Sequence, residues 1–594
     1  MSADTIIHRL QENGRIRPNA PAYFEKLGTA WVPTPWHEYV GQVRQAARAL
    51  ITLGVEPGGT VSILGFNRPE WSIMLLAAMA AGGAGSGIYT TNSPQEVQYI
   101  VEHAESSVVL LENEHQWTKI EQVRDQLPKL RHVVMMRGTK IDDPLVLSWE
   151  AFLARGDETE ESVLDQRIEA IKPEQLASLI YTSGTTGPPK GVMLSHDNLA
   201  FTAKTALDMY GMTANDRLLS YLPLSHIAEQ MFTVHGGATA GYSAYYAESL
   251  EKLPDNLREV QPSIIFGVPR IWERFYTAVT DNLGQTTGAK AKIADWAMGV
   301  GRRVSALKNK GEEPSGMLAI QYSLADRLVY SKVKPLLGLS NIRMAASGAA
   351  PVNPEILEFF SGLDIIIYEV YGQSEGCGPT TWNRPGATDF NTTGQAFPDT
   401  QVKLGSDGEI LVKGRNVFKG YYKDLAATGE TLIDGWLYSG DLGKFDEDGF
   451  LTIVGRKKEI IITSGGKNIA PKNIEAALKS LDIVAEAVVI GERRKFLSAL
   501  ITLEPETVQQ FAEANNLEGQ ELHKDPLVIA EVQRGIDEVV NPQFARVENI
   551  RKFTILPRNF TVEDGELTPT LKIKRRIVNE HFTEEIEGMY AGLD

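Results

Sequence analysis

The sequence predicts an α/β protein with a large N-terminal domain of layered sheets and a small α+β C-terminal domain. Three observations carry this. Apolar strand-like runs alternate with helical stretches through the first three quarters of the chain. Glycine-rich segments follow those runs repeatedly, where ligands sit in parallel α/β folds. After Gly408 the character changes to short strands and tight turns, and 594 residues exceed what one core serves.

In chain order, the strand candidates are Thr60 to Leu64, Val108 to Glu112, Ala177 to Tyr181, Ser263 to Val268, Arg343 to Ser347 and Ile365 to Tyr368. The Ala- and Gly-rich stretch Ile73 to Gly85 suits a helix in a tight interior. Residues 281 to 338 read as mostly helical, broken by the polar loop Asn309 to Ser315, and packed on the outside of the large domain. Asp446-Glu-Asp-Gly449 reads as a hairpin turn. Beyond Gly455 the pattern is strand 459–463, helix Lys472 to Ser480, strands within 485–503, helices to about 541, and strand 550–556. About 140 residues suffice for an independent domain. The boundaries are therefore set at 1–455 and 456–594.

Composition is that of a globular enzyme, 43% hydrophobic and 23% charged. A net charge of −17 argues against nucleic acid as a partner. An anionic ligand must then be held by locally placed cations and backbone donors. The single cysteine, Cys377, excludes an intramolecular disulfide and fits a reducing, cytoplasmic setting; it reads as a packing residue. No signal peptide is evident and no apolar run reaches the roughly 20 residues that span a bilayer. Peripheral contact with a membrane stays open, as does the oligomeric state.

Tyr181-Thr-Ser-Gly-Thr-Thr-Gly-Pro-Pro-Lys190-Gly191 is the most informative segment. It follows a buried strand and gathers hydroxyls, glycines and a lysine, the chemistry of a polyphosphate cradle. It is not a Walker P-loop: from Gly184 that pattern needs glycine at Pro189 and Ser or Thr at Gly191. Five further segments carry candidate chemistry: Pro223-Leu-Ser-His226-Ile-Ala-Glu229, Ser347-Gly-Ala-Ala-Pro351, Tyr371-Gly-Gln-Ser-Glu375, Trp436-Leu-Tyr-Ser-Gly-Asp441 with Gly455-Arg456, and Leu567-Thr-Pro-Thr-Leu-Lys572. Read alone, His226 is a capped core histidine, Asp441 a turn residue and the run at Lys572 a solvated basic tail. Tyr371 offers a stacking face, Ser374 a hydroxyl for phosphate, and Glu375 a hard oxygen for Mg²⁺.

In order and spacing these segments resemble the adenylate-forming (AMP-binding) enzymes, which include acyl-CoA synthetases, luciferases and peptide-synthetase adenylation domains. The resemblance covers nearly the whole chain. It is closest to long-chain fatty acyl-CoA synthetases of the bubblegum type, through Gly65-Phe-Asn-Arg-Pro-Glu-Trp71, Gly87-Ile-Tyr-Thr-Thr-Asn-Ser-Pro94 and Gly267-Val-Pro-Arg-Ile-Trp-Glu-Arg274. It implies ATP-dependent ligation of a long-chain fatty acid to coenzyme A through an acyl-adenylate, releasing AMP and pyrophosphate. Thr182, Ser183, Gly184, Thr185, Thr186 and Lys190 would hold the phosphates, and Thr182 and Glu375 the Mg²⁺. Gly348, Ala349, Tyr371, Gly372 and Ser374 would receive the adenine and phosphate, and Asp441 and Arg456 the ribose. His226 would position the carboxylate, and Lys572 would bridge carboxylate and ATP, with Lys574 the alternative. Serine replaces the family's usual threonine at Ser374 and keeps the hydroxyl. The resemblance places a domain hinge at Lys458 and a CoA-binding turn at Gly465 and Gly466. The alternatives are a fatty acyl-AMP ligase passing its product to a carrier protein, a luciferase-like oxygenase, and a non-catalytic scaffold. The ligases' insertion before the hinge has no room between Asp441 and Arg456, and a scaffold would be expected to lack Lys190, Glu375 or Lys572.

Overall fold

The computed structural model describes residues 4–182, 188–284, 287–517, 521–568 and 572–591. Two large sheets organise the N-terminal part. The first has nine strands, in spatial order Gln395–Ala396, Gly378–Trp382, Ile367–Gln373, Met344–Gly348, Ile264–Gly267, Arg217–Ser220, Ser243–Tyr246, Pro21–Leu27 and Ala30–Pro35. Its middle is parallel and its margins antiparallel. The second has seven: Val146–Leu147, His132–Met135, Val108–Leu111, Thr60–Leu64, Ala84–Ile88, Leu176–Thr182 and Lys190–Ser195, antiparallel only in the last pair. Parallel strands buried on both faces read as continuous apolar runs rather than alternating ones. Thr60–Leu64, buried at every position, is such a strand.

Between the sheets runs helix Pro69–Ala80, every residue of which is buried. A helix apolar all round can be accommodated only in an interior. The carboxyl ends of the two sheets abut there. Asn67, just past Thr60–Leu64, donates its side-chain N–H to Ser220 Oγ at 2.8 Å and to the Leu222 carbonyl at 2.7 Å, at the end of the other sheet's Arg217–Ser220. Gly87 lies so close to Ser225 that an added Cβ would come within 2.7 Å of its Cα.

A five-stranded antiparallel sheet follows, with Trp436–Phe445 paired to Leu451–Arg456 about the turn at Asp446–Gly449. From Ile461 onward the cores are separate. One gathers helix Pro471–Lys479, strands Val484–Ile490 and Leu497–Leu503, and helix Pro526–Gly535. The expected strand 459–463 shrinks to Ile461–Ile462, because Lys457–Glu459 forms a 3₁₀ turn. Ile365–Tyr368 begins two residues later than expected and runs on to Gln373, carrying the Tyr371 motif as strand.

Helices Ala289–Lys308 and Gly316–Ala325 form an outer layer, the former packed on helix Pro354–Gly362. At Gly301 an added Cβ would fall 2.2 Å from the Gly362 carbonyl oxygen, so the two backbones nearly touch. Gly299, two residues earlier on the same helix, faces open space. Among the described residues no helix is long and apolar enough to cross a membrane. Gly301→Ala should destabilise the protein by about 1–3 kcal/mol through overpacking. Gly299→Ala should leave it unchanged or stabilise it by up to about 1 kcal/mol through helix propensity. Melting temperatures that move together would refute this packing.

Candidate active site

The site is assembled at the carboxyl ends of the two sheets. Thr182 ends its strand and pairs with Lys190 on the returning strand, as Tyr181 does with Gly191. The strands flanking the donor-rich run are therefore antiparallel neighbours. Ser183, Gly184, Thr185 and Thr186 lie outside the described residues. The two strands are braced on both sides. The Tyr422 N–H donates to the Gly191 carbonyl at 2.8 Å, and Met193 N–H to the Gly420 carbonyl at 3.0 Å. Tyr181 shares a 2.8 Å hydrogen bond with His103 Nδ1.

Lys190 lays its ammonium 4.8 Å from the ring centre of Tyr421, and the Tyr421 hydroxyl donates to Glu375 Oε1 at 2.8 Å. This chain ties Lys190 to the carboxylate of the Tyr371 motif. Sequence reading missed Tyr421, which carries no signal beyond an aromatic pair after Gly420. Among the described residues no hydrogen bond engages the second Glu375 oxygen, and a hard carboxylate oxygen of this kind fits Mg²⁺, which usually takes one or two protein carboxylates and completes its shell from phosphates and water.

Gly372 is required by its neighbours, since a Cβ there would meet the Gly378 carbonyl at 1.8 Å across the hairpin. The small residue at Gly348 has a similar cause. A Cβ there would collide with Val370 on the adjacent strand, so the close approach is to protein. Ala349 follows with φ +69°, a left-handed conformation costly outside glycine, and it is exposed. Ser374 is buried, as is Cys377, whose thiol burial pushes up to about 12, which makes it inert.

Tyr371 donates its hydroxyl to Asp441 Oδ2 at 2.7 Å, and Arg456 Nε contacts Asp441 Oδ1 at 2.9 Å. Asp441 and Arg456 are direct partners in the antiparallel register, which is why they meet. Both carboxylate oxygens already take one donor, and each retains lone-pair capacity. Burial favours a neutral Arg456, but Asp441, Glu459, Tyr371 and Glu375 outweigh it and raise its pKa.

Lys572 stands close to this group. Its side chain is solvent-accessible, yet the surrounding protein desolvates it strongly. That desolvation, followed by repulsion from Arg456 and Lys472, brings its pKa down to about 8 against the pull of Asp441 and Glu459. Its charge is felt by His226, whose pKa falls to about 4 through burial first and Lys572 second. His226 is therefore neutral. Its Nδ1 accepts from the Ala228 N–H at 3.2 Å, capping helix Ile227–Gln230, which leaves the proton on Nε2. Lys574 instead begins helix Arg575–His581, with its N–H on the Glu566 carbonyl.

Glu229 braces the His226 turn. It is buried, and Oε1 accepts from Ser220 at 2.7 Å, Thr233 at 2.6 Å and Asn67 at 3.4 Å. Burial raises its pKa to about 7. Asn67 also receives the Leu224 N–H at 3.2 Å. The segments around Asn67 and Gly87 thus buttress the turn that presents His226. The third, around Arg270, reaches the C-terminal part: Arg270 Nη2 pairs with Glu486 Oε1 at 2.6 Å, and Glu486 also binds Lys479 at 2.8 Å. Gly465 and Gly466 are not brought to this group. Their exposed turn is fastened to the backbone at Arg494, with Gly466 at φ +74°.

Comparison with known proteins identifies the family. Residues 10–422 match the AMP-binding enzyme family, and residues 458–594 match its C-terminal domain. The chain belongs to the AMP-binding enzymes. A long-chain-fatty-acid–CoA ligase of Xenopus laevis, ACSBG2, is 39% identical to this AMP-binding enzyme over 98% of its chain and 83% of the relative. The long-chain-fatty-acid–CoA ligase FadD15 of Mycobacterium bovis is 35% identical over 99% and 97%. The adenylation and carrier didomain of a carboxylic acid reductase from Segniliparus rugosus, solved with AMP, shares the fold at TM-score 0.75 and 20% identity, covering 99% and 82% of the two chains.

The raised Glu229 carboxyl supports the fold only while protonated. That contribution is complete below the ordinary glutamate value near 4.5 and is lost as pH rises through about 7. Glu229→Gln, neutral throughout, should gain on the parent by up to about 3 kcal/mol between pH 5 and pH 8. Denaturant titrations at each pH measure this, and parallel profiles would exclude an uncharged Glu229.

Proposed function

We propose that this AMP-binding enzyme is a long-chain-fatty-acid–CoA ligase that activates its acid as an acyl-adenylate. The relatives bearing that activity align with nearly all of the chain. The observation that carries the reading is the convergence of Lys572, Arg456, Asp441 and neutral His226 beside the Tyr371–Glu375 motif. A carboxylate is a poor electrophile, so it needs a leaving group before a thiol can displace it. In the first step a carboxylate oxygen attacks the α-phosphorus of ATP and pyrophosphate departs. Two anions must meet, which demands fixed positive charge and alignment.

Lys572 and Lys190 supply charge, and the Nε2–H of His226 is available to orient a carboxylate oxygen. Asp441 and Arg456 hold the ribose, Tyr371 and the Gly348–Ala349 edge receive adenine, and Ser374 binds phosphate. Glu375, with Thr182, would hold Mg²⁺, which supplies positive charge at the phosphates when bound. Lys572 is mostly protonated at neutral pH, and anionic substrates would raise its pKa further.

In the second step the CoA thiol attacks the acyl carbonyl and AMP leaves. Lys572 then occupies space the thiol needs, and the C-terminal domain must withdraw it. The ion pairs support a pivot at Lys458. Arg456 is tied to Asp441, and Lys457 to Asp407 at 2.6 Å and Glu409 at 2.8 Å, all in the large domain. Glu459 instead faces Lys472, within the C-terminal part. Lys458 lies between these attachments and is exposed. Rotation there would carry the Gly465–Gly466 turn toward the acyl-adenylate, where it would receive CoA.

Lys572→Ala should abolish acid-dependent pyrophosphate release while still converting supplied acyl-AMP to acyl-CoA. Loss of both half-reactions would refute its assigned role. Lys458→Pro, which restricts φ at the pivot, should spare adenylation and slow thioester formation by tenfold or more, about 1.4 kcal/mol. Equal slowing of both steps would place the pivot elsewhere.

A further inference from the structure

Helix Gly316–Ala325 is apolar on two faces, only one of which the protein covers. Leu318, Tyr322 and Ala325 pack with Trp296, Val300 and Val304 of the helix beneath. Met317, Ile320 and Leu324 project the other way, 69%, 65% and 47% exposed. Their spacing of three and four residues makes one continuous stripe. Surface helices normally turn polar residues outward, and a contiguous exposed apolar patch marks an interaction site.

The charge around the stripe selects the occupant. Residues 288–338 contain nine Lys and Arg against four Asp and Glu, a balance of +5. The whole chain carries −17, so the remainder carries −22. Lys308 and Lys334 are engaged by Asp364, but Lys290, Lys292, Arg302, Arg303, Lys310, Arg327 and Lys332 are exposed and outnumber the exposed Asp295, Glu312, Glu313 and Asp326 of the same segment. Arg303 donates to the Gln321 side chain at 3.0 Å, which sets its guanidinium beside the helix, and Arg327 continues the stripe one turn beyond Leu324. An apolar stripe with a basic border on an acidic protein complements an anionic lipid surface, with the acyl boundary receiving the stripe and headgroups the cations. A second copy would set basic border against basic border about a two-fold axis.

We propose that this helix docks the enzyme on membranes bearing anionic lipid, with Met317, Ile320 and Leu324 entering the interface and Arg303 and Arg327 holding headgroups. This goes beyond the ligase reading. The helix beneath it, Ala289–Lys308, packs in turn on helix Pro354–Gly362, which follows the Gly348–Pro351 edge of the site.

The test is co-sedimentation of the full chain with vesicles of phosphatidylcholine alone or mixed with phosphatidylglycerol, across a salt series. Three proteins are compared: the parent, Met317→Ser/Ile320→Ser/Leu324→Ser, and Arg303→Glu/Arg327→Glu. Each is also assayed for pyrophosphate release with albumin-bound acid and sized in solution. The parent should partition onto the anionic vesicles, less so at high salt, and each variant should bind about tenfold more weakly with vesicle-free activity unchanged. Equal binding by parent and variants, or no binding to anionic vesicles, would overturn the proposal. A parent dimer that the serine variant dissociates would assign the stripe to a second copy. Loss of activity in the parent would bear on the ligase reading and leave docking to be judged from sedimentation alone.

Discussion

The abutment of two parallel sheets at their carboxyl ends is the constraint on which the site depends. Strand ends leave unpaired backbone groups and short loops, the places where a fold can present chemistry. Joining two such edges doubles the available positions and requires a device to hold them in register. Asn67, Ser220, Thr233 and Glu229 are that device: a buried polar cluster linking the end of one sheet to the end of the other. A buried carboxylate is costly, and this one is kept near neutrality by its surroundings while accepting several hydrogen bonds. The His226 turn is fixed as a by-product, because its backbone hangs from the same cluster.

Electrostatics supply the second layer of organisation. The protein is acidic overall, yet the cleft gathers Lys572, Arg456, Lys472 and Lys190 around two principal carboxylates, Asp441 and Glu375. Desolvation, with repulsion from Arg456 and Lys472, holds Lys572 below the ordinary lysine range, whereas Asp441 and its neighbours outweigh burial at Arg456. The Arg270–Glu486 pair, joined by Lys479, is one contact between the C-terminal part and the large one.

Much of this was legible in the chain. The Tyr181–Gly191 run and the Tyr371 motif stood out by themselves, because phosphate and metal chemistry admits few residue types, whereas His226, Asp441 and Lys572 became candidates only through the family resemblance. The strand runs were legible because strands buried on both faces are continuously apolar. What stayed hidden were supporting residues with ordinary identities. Tyr421 matters through a hydroxyl aimed at Glu375 from a distant segment, and Arg270 through a partner more than two hundred residues away. The conformational reason for Gly348 and Gly372 was also illegible, since each is dictated by a neighbouring strand whose register no local pattern reveals.

The sequence by itself determined the fold class and the family, because continuous apolar runs mark buried strands and the order and spacing of the motifs match one family. Only the tertiary structure decided which charges face one another, and hence that His226 is neutral, that Lys572 is depressed and that Glu229 is poised near neutrality. Those properties arise from desolvation and from Coulomb interactions between segments far apart in the chain. They exist only once folding has excluded water from between them.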